Sequence, residues 1–278
     1  MKKLKETFKY YKKSKMAMFG LIVLIILIII AVFSDFIAPY PYDKQDLTQT
    51  FLKPSSSHIM GTDNFGRDIF SRIVYGAKIS LKIGFISVFF AMIIGSVIGA
   101  IAGYFNKFDN ILMRIMDVIL SIPQLILAIA LAAALGNGMK NLILAVSISA
   151  IPRYAKIVRS QVLTIKEREF VEAARMSGAS DLKIILKYIL PNAFAPVVVE
   201  ATLGVGTSIL SAASLSFIGM GIMPPEPEWG QMLSEGRAYI RNYPHMTLFP
   251  GIFIALTILS LNIVGDGIRD ALDPKLRR

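Results

Sequence analysis

The sequence has no cysteine. That excludes disulfides, thiolate metal sites and a cysteine nucleophile, and it leaves the redox compartment unread. Histidine is nearly absent too: His58 and His245 are the only 2, far apart in the chain. No HExxH, GxSxG or GxxxxGK[ST] occurs, so neither hydrolase chemistry nor a nucleotide-binding loop has a basis here. Charge is thin as well. Asp, Glu, Lys and Arg make up 18% of the 278 residues, against roughly 25% in an ordinary soluble domain.

What the chain has instead is apolar residues, 54% of the total, gathered into long runs. Residues 19–33 read FGLIVLIILIIIAVF. With flanks from Met16 to Ala38 they reach the roughly 20 residues that cross about 30 Å of hydrocarbon. Comparable runs predict six spans, near 16–38, 79–104, 111–135, 141–162, 193–219 and 247–268. Each must be helical, because a chain in lipid has to satisfy its own backbone. Continuous rather than alternating apolar runs argue against a barrel. The expected fold class is therefore an all-α polytopic membrane protein with six transmembrane helices.

Net charge is +11. In a soluble protein that would suggest nucleic acid. Here basic residues sit beside spans, as Lys and Arg retained on the cytoplasmic side do. With no aromatic-interleaved basic patch, no nucleic-acid partner is expected. The N-terminal MKKLKETFKYYKKSK has no small-x-small cleavage site after it and reads as an uncleaved signal-anchor. Placing that end inside puts 21 of the 30 Lys and Arg on the inner side, so both termini are expected in the cytoplasm. The division is then a basic segment at 1–15 and one transmembrane domain at 16–278, with outer segments at 39–78 and 220–246. In the second, Pro224, Pro225 and Pro227 favour an extended path. Trp229, Tyr239 and Tyr243 suit a membrane interface.

Gly95, Gly99 and Gly103 recur every fourth residue, on one helix face, and let another helix approach closely. Gly204 begins a similar pattern in the fifth span, which also carries Ser208 and Ser211. Hydroxyls and small residues on one span point to a partner helix or a wet pathway; the alternative is bonding back to the helix's own carbonyls. Ser208, Ser211 and Asn262 are the candidates for lining such a path. Arg114 and Asp117 are spaced to pair on one face, and Asp266 lies near Arg269. All sit near an inner interface, where charge is tolerated by snorkelling. No convincing mid-membrane carboxylate appears among them, which disfavours an ion-coupled secondary transporter. Any energy for uphill transport must then come from another chain.

One stretch interrupts the oily pattern. Residues 170–192 read FVEAARMSGASDLKIILKYILPN. By the topology above it is cytoplasmic. Residues 163–177 contain strong helix formers, with Phe170, Val171 and Ala174 at helical spacing. Gly178 is a natural helix stop, and Ser180 or Asp181 can cap a second helix. Pro191 is expected to end or kink it. Ala173 and Ala174 leave a shallow surface for another protein, although many charged segments are simply solvated.

Glu172, Ala173, Ala174, Gly178, Leu190 and Pro191 resemble, at their spacing, the EAA loop of importer-type ABC permeases, here the segment 163–191. The pattern's isoleucine is Tyr188 in this chain, and Ile189 comes one residue late. MGTDNFGRDIFSRIVYGAKISLKIG (60–84), SIPQLILAIA (121–130) and MPPEPEWGQMLSEGR (223–237) are similar to the C-type permease subunits of oligopeptide, dipeptide and nickel importers. The resemblance implies a type I ABC importer permease in the bacterial cytoplasmic membrane, in contact with lipid. It implies a homologous B-type permease subunit, two ABC ATPase subunits, an extracytoplasmic solute-binding protein and a peptide substrate. It also implies no catalysis and no cofactor or metal on this chain, ATP and magnesium being held by the ATPases. The EAA segment would be the coupling helix on one ATPase. There Glu172 would orient the helix, Ala173 and Ala174 would allow docking, Gly178 would set the turn and Pro191 the angle into span five. A nickel chelate is the alternative substrate.

Overall fold

A computed structural model describes residues 8–272. The Lys residues before Phe8 and the basic residues after Leu272, both used in the orientation count, lie outside them. The described residues are mostly helical, and the only bridge among them is an isolated one between Thr62 and Asp68. The helices of eight residues or more are α1 Lys15–Val32, α2 Ile69–Tyr104, α3 Asn106–Ser121, α4 Gln124–Leu135, α5 Met139–Lys166, α6 Glu169–Met176, α7 Leu190–Phe217, α8 Trp229–Gly236 and α9 His245–Leu272. α1, α2, α5, α7 with its lead-in, and α9 are long and apolar enough to cross a membrane.

The expected span at 111–135 is two helices rather than one. α3 and α4 meet at 91°. Pro123 has no N–H to continue the ladder and pushes its predecessor out of the helical region; Ile122 has ψ 127. If α3 and α4 together count as one broken span, the total is six.

α2 begins ten residues before the expected 79 and has 36 residues, about 54 Å at 1.5 Å per residue. That exceeds the hydrocarbon thickness, so it continues beyond the bilayer. Its early start has a local cause: the Asp68 carboxylate accepts the Ser71 N–H at 2.7 Å and caps the first turn. Residues 39–68 and 219–246 gather at this end of the bundle as a cap. The segment between α5 and α7 lies at the opposite end.

The glycine stripe packs within the chain. A Cβ at Gly95 would lie 2.6 Å from the Tyr154 Cβ, and one at Gly103 would lie 2.8 Å from the Val162 Cβ. At Gly99 it would strike the Ala155 carbonyl oxygen. Glycine thus brings α2 and α5 into backbone contact, which is the way helices gain dispersion energy where lipid offers no hydrophobic drive. Gly204 on α7 makes room for the Tyr154 hydroxyl from the same α5. α1 lies on α9, where Gly20 faces Ile263 and Gly267 faces Ala17.

Candidate functional site

α6 is built to stand out from the bundle. Glu169 and Glu172 occupy its first turn and Arg175 its last, each at the favourable end of the helix dipole. Its end is a Schellman motif. The Gly178 N–H donates to the Arg175 carbonyl and the Ala179 N–H to the Ala174 carbonyl. Gly178 holds φ +78, a conformation that costs other residues about 1 kcal/mol or more. Val171 and Ala174 turn inward, three residues apart on one face. Ala174 therefore packs against the chain's own fold and is not part of the free surface expected for it. Glu172, Ala173 and Met176 are exposed, Met176 at 89%.

Two links carry α6 into the bundle. The Tyr104 hydroxyl at the end of α2 donates to Asp181 at 2.6 Å. Asp181 thus serves as an anchor, while Ser180 occupies the cap position without a side-chain hydrogen bond. Residues 184–189 then form a π-helical turn that buries Ile184, Ile185 and Ile189. Of the two expectations for Pro191, an end or a kink, the structure excludes the end. The Leu190 N–H reaches back to Ile185 across the π turn, so Pro191 falls in the first turn of α7, where a missing N–H is harmless. The Asn192 side-chain amide donates to the Tyr188 carbonyl at 2.7 Å. Leu190 and Pro191 thus join residues 181–189 to α7 without a break in the helix.

Between the two ends runs a polar face that the sequence reading missed. Arg153 Nε on α5 lies 2.5 Å from Glu200 Oε1 on α7. Lys156 pairs with Asp117 at 2.6 Å, and Arg159 with Asp109 at 2.5 Å. Asp117 is thus held across helices and not by Arg114, its expected partner on α3. Asp266 on α9 is exposed on the same chain. The signal was available: Arg153, Lys156, Arg159 and Glu200 all fall inside the expected spans 141–162 and 193–219. Ionised groups at membrane depth face water or protein rather than lipid. A groove of about 620 Å³ opens here, lined by Lys156, Ser160, Gln161, Glu200 and Arg269 among others. Of the three path candidates, Asn262 is exposed, Ser211 half-buried and Ser208 buried at 2%. Ser208 therefore faces no open route in this conformation.

The cap is held by charges that the sequence offered only as part of a motif. Asp63 accepts from Arg67 Nε at 2.6 Å and from Arg72 NH1 at 2.7 Å. Glu235 accepts from the NH2 groups of both arginines, at 2.9 and 2.8 Å. The square is buried and ties the start of α2 to α8. His58 is not alone: Nδ1 meets Asp68 and Nε2 meets Gln49, both at 2.9 Å. Trp229, expected at the membrane interface, is fully buried instead. Its indole N–H has a partner inside, the Ile73 carbonyl at 3.1 Å, and Gly76 leaves room for the ring. Tyr239 and Tyr243 are half-buried and close on the Phe51 ring at 4.9 and 4.4 Å. Glu228 is sealed beside Trp229, accepting from the Gln231 N–H at 2.9 Å and from Ser80. Burial raises its carboxyl above the usual carboxylate range, with the backbone and hydroxyl donors opposing.

A bundle of spanning helices with no catalytic constellation among its described residues, one exposed helix at one end and a rigid cap at the other, is the architecture of a transport permease. The chain belongs to the family of binding-protein-dependent transport system inner membrane components, whose model matches residues 83–278. Residues 3–54 match the N-terminal TM domain of oligopeptide transport permease C. The dipeptide transport system permease protein DppC of Alkalihalophilus pseudofirmus is 46% identical over 98% of this chain and 90% of that protein. The glutathione transport system permease protein GsiD of Escherichia coli gives the same identity and coverage. Among solved structures, an inward-facing MetNI methionine ABC transporter matches with a TM-score of 0.61 at 22% identity, over 74% of this chain and 98% of that one. The last shows a shared fold. The chain is an ABC importer permease of the inner membrane.

Proposed function

We propose that this chain is one of two permease subunits of an ATP-driven importer of di- and oligopeptides. The observation that carries the coupling part is α6, an exposed helix whose Gly178 cap and Asp181 and π-turn anchors join it to both α2 and α7. A push on such a helix is delivered to two spans at once, the requirement for rigid-body gating. In this scheme a partner ATPase docks on Glu172 and Ala173. Gly178 fixes the turn, and Ala174, Leu190 and Pro191 transmit the motion through packing. Both termini lie in the cytoplasm with α6. The second, B-type permease covers the polar face, and Ser211 and Asn262 border the path between the two subunits. A solute-binding protein delivers cargo to the cap. ATP and magnesium are bound by two ATPase subunits, and this chain holds no cofactor.

The peptide assignment draws on the names of the relatives, one a dipeptide and one a glutathione permease. Glutathione is itself a peptide, so both names share a substrate class. The test is uptake by the complete transporter in proteoliposomes supplied with its binding protein and ATP. Labelled dialanine is expected to accumulate inside and a nickel–histidine chelate to stay out. Uptake of the chelate without the peptide would replace this reading with that of a metal-chelate importer.

A further inference from the structure

The face of α7 opposite the polar groove is hollowed as well. Pro196, Val199, Glu200 and Leu203 line the polar groove. Phe194, Val197, Val198 and Ala201 repeat that spacing two residues earlier, about 200° around a helix of 3.6 residues per turn. They border two clefts of about 400 and 360 Å³. The first lies between α7 and residues 92–97 of α2, and the second continues toward α1 and α9. Met92 and Phe194 line both, so the two form one groove. From Leu190 to Val205 its α7 wall runs about 22 Å at 1.5 Å per residue, more than the roughly 15 Å of hydrocarbon in one leaflet. None of the described residues lining it is charged. Phe194 and Val97 are open on its walls, at 56% and 54%.

Two free cations stand at its α6 end. Lys187 precedes Leu190 by three residues, and Lys183 lies one turn further back; both are exposed. Lys78 and Lys156 each have a carboxylate, Asp35 and Asp117. Lys183 and Lys187 have none among the described residues. Asp181, the acid nearest to them in sequence, already accepts from the Tyr104 hydroxyl.

Resting on the reading above only for the face given to the second permease, we propose that this groove seats an acyl chain of an anionic phospholipid, with Lys187 and Lys183 on its phosphate. An apolar groove alone takes any lipid tail. The lysines make the choice, since each cation at headgroup level favours an anionic lipid about fivefold. The second permease takes the polar face of α7, which leaves this opposite face to lipid. Leu190 and Pro191 form one wall of the groove and α2 the other. The chain thus packs between the two helices to which α6 is anchored.

Phe194→p-benzoylphenylalanine places a photo-crosslinker in the groove wall of the complete transporter. The transporter is held in nanodiscs of phosphatidylglycerol and phosphatidylcholine in equal parts. Irradiation and mass spectrometry of this chain then read which lipid is attached. Phosphatidylglycerol adducts are expected to exceed phosphatidylcholine adducts at least about fivefold. The same crosslinker at Ile25, exposed on α1, is expected to give the bulk ratio. With Lys183→Gln and Lys187→Gln together, the ratio at Phe194 is expected to fall to that of the bulk. The total yield of lipid adduct is expected to stay, the sign of an intact groove, and Lys187→Gln alone to fall between. A bulk ratio with both lysines present would show unselective lipid and overturn the site. So would a preference that survives the loss of both lysines. A crosslink to another protein chain in place of lipid would overturn it too, and would move the second permease onto this face. Dialanine uptake is measured separately, so the peptide reading survives each of these results.

Discussion

Glu235→Ala is the sharpest perturbation of the cap. In the native square, two guanidiniums and two carboxylates balance, with contacts of 2.6 to 2.9 Å. Removing Glu235 takes away the acceptor of both NH2 groups and leaves Asp63 alone between two cations. The arginine side chains are 2% and 1% exposed, so water does not replace what is lost. Two charge-assisted bonds at about 1.5–3 kcal/mol each agree with the roughly 3–5 kcal/mol cost of breaking a buried pair. The exposure of Glu235, 13%, favours the lower end. A loss of about 3 kcal/mol raises local opening on the order of 100-fold. Amide hydrogen exchange on the purified transporter reads this directly. Amides at 61–72 and 229–236 are expected to exchange about 100-fold faster, while those of α5 keep their rates. Glu235→Gln retains one acceptor oxygen and is expected to fall between. Unchanged exchange in the alanine variant would refute the argument that the square holds the cap to α8.

Two further outcomes follow from buried groups. Glu228 has a carboxyl raised above its ordinary 4.5 by burial, so the folded cap prefers it protonated. Its contribution is favourable below about that pH and is lost as pH rises through the folded value. Thermal unfolding between pH 4.5 and 8 should show this slope, and Glu228→Gln should flatten it; an equal slope in the variant would refute the assignment. At Gly99 a side chain would strike the Ala155 carbonyl and press on Val158 at 2.9 Å. Gly99→Leu is expected to cost about 1–3 kcal/mol or more by overpacking, seen as a lowered Tm. Gly206→Ala, with nothing closer than 3.6 Å, is expected to be tolerated, and equal losses at both positions would count against the α2–α5 contact.

Much of the fold was legible because lipid demands so much of a sequence. Apolar length located α5, α7 and α9 to within about four residues at each end, while α1 ends at Val32, short of the expected 38. The Gly95–Gly99–Gly103 stripe announced a close contact, though not that α5 would fill it, since a small residue names no partner. The bend at Pro123 was misread because hydropathy ignores direction. Gly178 was read correctly as a stop, because a left-handed cap has a residue signature. Ala174 was misassigned to the surface because the inward face of a short helix is set by what lies beneath it. The π turn ahead of Pro191 was not foreseen, because π turns have no comparable signature. The cap was hidden for another reason. Asp63, Arg67, Arg72 and Glu235 look like soluble-loop charges until residues 163 positions apart meet. Glu200 was in plain view and was passed over; Arg153 was counted among the inner-side basic residues, but a count of charges names no partner.

The central claim is that α6 and its glycine cap pass an outside motor's motion into the spans. Gly178→Pro tests it most directly, because proline fixes φ near −65° where the cap needs +78. Uptake and ATP hydrolysis are measured together on the complete transporter in proteoliposomes. The account predicts that the variant reaches the membrane and hydrolyses ATP while peptide transported per ATP falls by at least about tenfold, the scale of losing one rigid contact. An unchanged ratio of peptide to ATP would contradict it.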